Sequence, residues 1–141
     1  MKQKYIDYYM DVAHRTAQLS EATRLKVGAV LVRDNDILSV GFNGTPIGYH
    51  TNECEYVNEV GELVTKEITI HGEMNAIIHA NRKGITVQDA VMFITHTPCW
   101  NCSKHMVQSG IKQIYYRTKY RMFDNEQMKF FDDMGVKLIQ A

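Results

Sequence analysis

Two prolines and nine glycines in 141 residues leave no Pro/Gly-rich linker and no low-complexity tract. No self-similarity at the periods of solenoid arrays is visible. No apolar run approaches the roughly 18 residues of a membrane span. The opening segment MKQKYIDYYMDVAHRTAQLS lacks the unbroken apolar stretch of a secretory signal. An excess of charge of one sign is also missing, with 16 Lys+Arg against 16 Asp+Glu. That balance excludes the bulk electrostatics of a dedicated nucleic-acid binder, though not a local basic patch. Cysteine is scarce: Cys54, Cys99 and Cys102 are the three. An odd number without a secretion signal argues against a disulfide framework. It favours a reduced, cytoplasmic chain whose thiols bind metal or do redox work.

What is present is globular composition, 45% hydrophobic and 23% charged. The length suits one ordinary domain spanning 1–141. Residues 3–20 carry apolar positions at helical spacing, from Tyr5 and Ile6 through Ala17 and Leu19. KVGAVLV and DILSV flank Asp34-Asn35 and predict a β-hairpin. GFNGTPIG marks a loop, and the polar segment through Glu67 reads as a long excursion. Helices over 71–82, 99–109 and 124–133 then alternate with strands over 90–95, 111–116 and 136–139. Alternation of this kind implies parallel strands joined by right-handed crossovers. The expected architecture is α/β, with one sheet of about five strands.

Two fragments carry chemistry: His71-Gly72-Glu73 and Pro98-Cys99-Trp100-Asn101-Cys102. If a helix begins at Pro98 or Cys99, both sulfurs lie on one face of its first turn. The partial positive charge at a helix N-terminus favours their thiolate forms. His71 would start a neighbouring helix. Two thiolates and one imidazole make three protein ligands, the catalytic zinc pattern with an open fourth position. Glu73, two residues on, points away from the ligand face and suits a proton-carrying carboxylate. A structural zinc would need a fourth ligand, from Cys54 or a histidine, and that reading stays open here.

These residues reproduce the pattern H-x-E…P-C-x-x-C, and the chain resembles the cytidine and deoxycytidylate deaminase family. RLKVGAVLV, SVGFNGTPIG, IHGEMNAIIHA and TPCWNCSKHMVQSGIKQIYYRTKY carry the likeness. Phe42 stands where the family usually has tyrosine, and Gly72 where it usually has alanine. The resemblance implies a three-layer α/β/α fold with a mixed sheet. It implies zinc held by His71, Cys99 and Cys102, with Glu73 catalytic. It implies hydrolysis of dCMP to dUMP and ammonia, supplying dUMP for thymidylate synthesis. Asn43, Arg24 and Tyr120 match substrate-contacting positions. Gly41, Phe42 and Gly44 match a loop implicated in binding the effectors dCTP (activating) and dTTP (inhibiting). A homo-oligomer, often a hexamer, is also implied. A second, structural zinc is not expected, because the region before His71 offers only His50 and Cys54. Arg82, Arg117, Lys119 and Arg121 read as solvated charges, with contact to a neighbouring subunit or an effector as the alternative, and His96 and His105 flank the cysteine loop, where support of the ligands is the alternative to a bland role. The zinc pattern does not by itself separate dCMP from free cytidine, guanine or adenosine in RNA. A zinc-folded binding module stays open beside them.

Overall fold

The computed structural model describes all 141 residues. Its elements are α1 (Gln3–Ala17), β1 (Gly28–Arg33), β2 (Asp36–Phe42), β3 (Glu55–Val57), β4 (Leu63–Thr65), α2 (Gly72–Arg82), β5 (Val91–His96), α3 (Trp100–Gln108), β6 (Gln113–Thr118), α4 (Asn125–Asp133) and β7 (Lys137–Gln140). Five strands form a mixed sheet in the order β2-β1-β5-β6-β7. β1 runs antiparallel to both β2 and β5, while β5, β6 and β7 are parallel. The expected hairpin turns at Asp34 and Asn35, with φ of 54° and 63°. Positive φ at both residues is what a two-residue type I′ turn requires. No helix is long and apolar enough to cross a membrane.

The continuous apolar run of β1 follows from burial on both faces. Ala29 and Leu31 join Met92, Ile94 and Ile114 beneath α2, α3 and α4. Val30 and Val32 join Val91, Phe93 and Tyr115 beneath α1. The layering is therefore α/β/α. α1 lies on the sheet through Ile6, Tyr9, Met10, Ala13 and Ala17, at three- and four-residue spacing. Its Tyr9 ring meets Phe93, which stacks on Tyr115 with centroids 4.9 Å apart.

Two features depart from the sequence expectation. The excursion before His71 contains a second, two-stranded sheet, β3 with β4. Its turn is built by Asn58, whose Oδ1 accepts from the amides of Val60 and Glu62, with Gly61 at φ 83°. The strands are three residues each and leave Tyr56, Val57 and Leu63 exposed, so no buried alternation announces them. Helices α2 and α3 also begin one residue late, with His71 and Cys99 as N-caps. Pro98 accordingly precedes the cap instead of occupying the first turn.

Gly41, expected in an effector loop, sits beneath α2. A Cβ there would overlap the Ala76 amide nitrogen and the Gly72 carbonyl oxygen, with Ala76 Cα at 2.9 Å. Backbone cannot move aside as a flexible side chain can, so α2 would have to lift off β2. We expect Gly41→Ala to lower unfolding free energy by about 3 kcal/mol in urea titrations. Gly44→Ala, whose Cβ meets only the Phe42 ring at 3.8 Å, should change it by less than about 0.5 kcal/mol. Equal midpoints for the two variants would contradict this packing.

Candidate active site

The three sequence-predicted ligands meet where α2 and α3 begin. Cys99 caps α3: its Sγ accepts from the Cys102 amide at 3.5 Å. The Ser103 amide and hydroxyl both donate to the Cys99 carbonyl, each at 2.8 Å. From α4, the buried Gln127 donates through Nε2 to the Pro98 carbonyl at 3.0 Å. The cysteine loop is thus fixed from within and from behind. Nothing in the spacing of Gln127 signals this role, because the contact spans 29 residues.

His71 is placed from the other side. Ile70 bridges Gly44 through a reciprocal pair of backbone bonds of 2.8 and 3.0 Å. Asn75 Nδ2 donates to the Phe42 carbonyl at 2.8 Å, and Ser39 donates to the Ala76 carbonyl at 2.6 Å. Gly72 packs closely here: a Cβ would lie 3.0 Å from the Val27 carbonyl oxygen. His71 Nδ1 then lies 3.5 Å from Cys99 Sγ and 3.3 Å from Cys102 Sγ.

The donor set fits zinc. All three ligand atoms lie within 4.8 Å of one another. The N···S edge of a tetrahedral site with ordinary Zn–N and Zn–S lengths is about 3.6 Å, close to both separations. Three donors leave a fourth position open. One of the two sulfurs already favours the metal-binding form. The Cys99 thiol is held down to about 4, chiefly by the hydrogen bond from Cys102, with help from His71 and the Cys102 amide. The shared proton correspondingly stays on Cys102, whose pKa is raised.

Glu73 is 4% exposed, and its carboxyl is the buried acid of the site. Burial pushes its pKa above the ordinary carboxylate range, opposed in part by its own amide and by the His71 charge. A carboxyl so raised exchanges protons more readily near neutral pH. Glu73, His71 and Cys99 form part of the lining of a cleft of about 490 Å³, within the usual range for a small-molecule site.

Asn43, Arg24 and Tyr120 all reach that cleft. Asn43 also braces the fold. Its Oδ1 accepts from the Val27 amide at 2.9 Å, and its Nδ2 donates to the Leu25 carbonyl at 2.7 Å. One N–H and one lone pair remain for a ligand. Tyr120 is half-buried, its amide bonded to Thr97 Oγ1 at 2.8 Å. Arg24 is exposed at the rim. Arg121, expected as a solvated charge, is exposed but borders the cleft, and His96 borders it as well. No sequence signal separates Arg121 from Arg117 and Lys119 beside it. A second cavity of about 380 Å³ adjoins the first across Asn43, lined partly by Phe42, Gly44 and His79. Gly41 is not among its walls.

Comparison with known proteins gives a consistent likeness. The cytidine and deoxycytidylate deaminase zinc-binding region matches residues 3–118. ComE operon protein 2 of Bacillus subtilis is 35% identical over 134 residues, covering 95% of this chain and 69% of that protein. The deoxycytidylate deaminase of Schizosaccharomyces pombe is 33% identical over 139 residues, covering 94% of this chain but 42% of that enzyme. The crystal structure of dCMP deaminase from cyanophage S-TIM5, in complex with dCMP and dUMP, superposes with a TM-score of 0.89 at 36% identity. That match covers 100% of this chain and 99% of the phage enzyme.

His96 provides a check on the cleft's electrostatics. Burial lowers its pKa, and the His14 charge adds to the effect, so it stays neutral at neutral pH. Its neutral form is favoured by folding, and acidification through the ordinary histidine range therefore costs stability. An NMR titration should place the His96 midpoint below that of an ordinary histidine. His14→Gln should raise the midpoint without restoring it fully. A midpoint at or above the ordinary value would contradict the burial described here.

Proposed function

The chain belongs to the cytidine and deoxycytidylate deaminase family, and from that premise we propose that it hydrolyses dCMP to dUMP and ammonia. The observation that carries the reading is the meeting of His71, Cys99 and Cys102 beside the buried Glu73, in a cleft rimmed by Arg24 and Arg121.

His71 Nδ1 and the two sulfurs would hold zinc. When bound, zinc supplies Lewis-acid activation of water at neutral pH. Glu73 takes a proton from the attacking water and passes it to N3 of the cytosine ring as C4 becomes tetrahedral. It then takes the second proton of that water from the C4 hydroxyl, which becomes the carbonyl, and delivers it to the amino nitrogen as the C4–N bond breaks, so that dCMP and water give dUMP and ammonia. Its buried position suits both duties, because a raised pKa lets the same carboxyl accept and release a proton. Asn43 orients the sugar through its free valences. Tyr120 closes over the nucleotide. Arg24 and Arg121 receive the 5′-phosphate, since a guanidinium forks onto phosphate oxygens. The neutral overall charge argues against a polynucleotide substrate.

The same reading extends to regulation and context. The cavity behind Phe42 and Gly44 is the place for a nucleotide effector, dCTP activating and dTTP inhibiting. The product supplies thymidylate synthesis in a cytoplasmic setting, and the working enzyme is a homo-oligomer.

The test is deamination followed by ultraviolet absorbance, with dCMP, deoxycytidine and dCTP compared on the zinc-loaded protein. dCMP should turn over far faster than deoxycytidine, and equal rates would reject the phosphate reading. Glu73→Gln should retain zinc by metal analysis yet lose on the order of a thousandfold or more in kcat. Normal turnover in that variant would sink the assignment. In the same assay, dCTP should raise and dTTP lower the rate on dCMP. Indifference to both would remove the regulatory proposal while leaving the chemistry.

A further inference from the structure

Arg24 stands in a loop with little to hold it. No backbone–backbone hydrogen bond involves residues 21–26. Asn43 fixes the far end of the loop through Leu25 and Val27. Ser20 Oγ accepts from the buried Ala22 amide at 3.2 Å, and beyond it the main chain is gripped at Thr23 and Arg24 by the side chain of Glu55. Its carboxylate accepts from the Thr23 amide at 2.9 and 3.1 Å and from the Arg24 amide at 3.1 Å.

The cross-strand partner of Glu55 is Thr65. Thr65 Oγ1 accepts from the Arg24 guanidinium at 3.3 Å. A single residue pair on the β3–β4 hairpin therefore holds Arg24 twice, by its backbone and by its side chain. The choice of groups is informative. Glu55 binds amides and forms no ion pair with the guanidinium; the two ion pairs in the chain are Lys66–Glu53 and Lys129–Asp133. Thr65 is uncharged. The guanidinium is thus oriented without being neutralised, and it keeps donors free for an anion. Both Glu55 and Thr65 line the same cleft as Glu73.

We infer that Glu55 and Thr65 are positioning residues for the substrate phosphate, acting through Arg24, and that the β3–β4 hairpin serves this end of the cleft. The inference rests on the reading of Arg24 as a phosphate ligand. Losing the Glu55 grip frees the loop, so the penalty falls on binding and not on the proton transfers at Glu73. Misplacement of a charged clamp by an ångström is enough for a tenfold or larger loss.

The experiment compares Arg24→Ala, Glu55→Ala, Thr65→Val and the Arg24→Ala/Glu55→Ala pair on dCMP and deoxycytidine. Glu55→Ala should raise KM for dCMP about tenfold with a much smaller change in kcat, and should affect deoxycytidine far less. The double variant should be no worse than Arg24→Ala alone, as expected when two residues act through one contact. Glu55→Gln, which keeps one acceptor oxygen, should fall between wild type and Glu55→Ala. It carries the test together with Thr65→Val if Glu55→Ala does not fold. Additive losses, or equal losses on both substrates for Glu55→Ala, would overturn the proposal. If Arg24→Ala itself impairs both substrates alike, the phosphate reading fails and this inference falls with it. If Arg24→Ala is selective for dCMP while the Glu55 and Thr65 variants behave as wild type, the positioning proposal alone is wrong.

Discussion

Three donor atoms from positions 71, 99 and 102 must come within 4.8 Å of one another, and they come from the starts of two helices. Most of what is unusual in the packing serves that convergence. Gly41 lets α2 lie directly on β2, where any Cβ would hold it off. The Gly44–Ile70 bridge and the Asn75 amide fix the approach to His71. Gln127 reaches from α4 to the Pro98 carbonyl, so a polar side chain buried in the core is spent on the cysteine loop. The parallel order of β5 and β6 places α3 beside α2 on one face of the sheet. Each of these is weak alone. Together they hold a constellation of the kind that must be kept within about 0.5 Å of its working geometry.

The divided polarity of the cleft follows from the same arrangement. Burial of Glu73 at its floor raises that carboxyl, and the hydrogen bond between Cys99 and Cys102 ties one proton to the sulfur pair. Metal binding must displace that proton, so affinity for zinc rises with pH. Its rim is exposed and carries cations. A ligand that is neutral at one end and anionic at the other satisfies both regions at once. A cytosine ring joined to a monophosphate has that polarity, whereas a free base leaves the rim unused.

The meeting of His71, Cys99 and Cys102 beside Glu73 was legible because its signal is local. Two residues separated by two others, with a proline before them, and a His-x-Glu pair specify geometry within a single helical turn. The sheet was legible for a related reason: β1 and β5 are buried on both faces and read as unbroken apolar runs. The β3–β4 hairpin was not, since three-residue strands with exposed Tyr56 and Val57 carry no alternation to detect. Its turn residues, Asn58 and Gly61, were the available clue. Arg121 and Gln127 escaped for a different reason. An arginine among cations, or a glutamine on an amphipathic helix, acquires meaning only from what the fold sets opposite it. Gly41 shows the converse. Its place in a loop motif suggested ligand contact, yet its neighbours are the backbone of α2.

Asn43 unites these levels. Its amide closes the loop that carries Arg24, and its position on the cleft wall leaves valences for a ligand. It also borders the second cavity. A shift of Asn43 caused by a molecule in that cavity would reach the Arg24 loop through two hydrogen bonds, without passing through the metal ligands. Coupling between the cavities would therefore change substrate affinity before it changed the chemistry. The order follows from connectivity: the loop has few other restraints, whereas the ligand loop is locked by Ser103 and Gln127. The segment that both cavities touch, at Glu21 and at Arg24, is held by side chains alone and by no backbone–backbone bond.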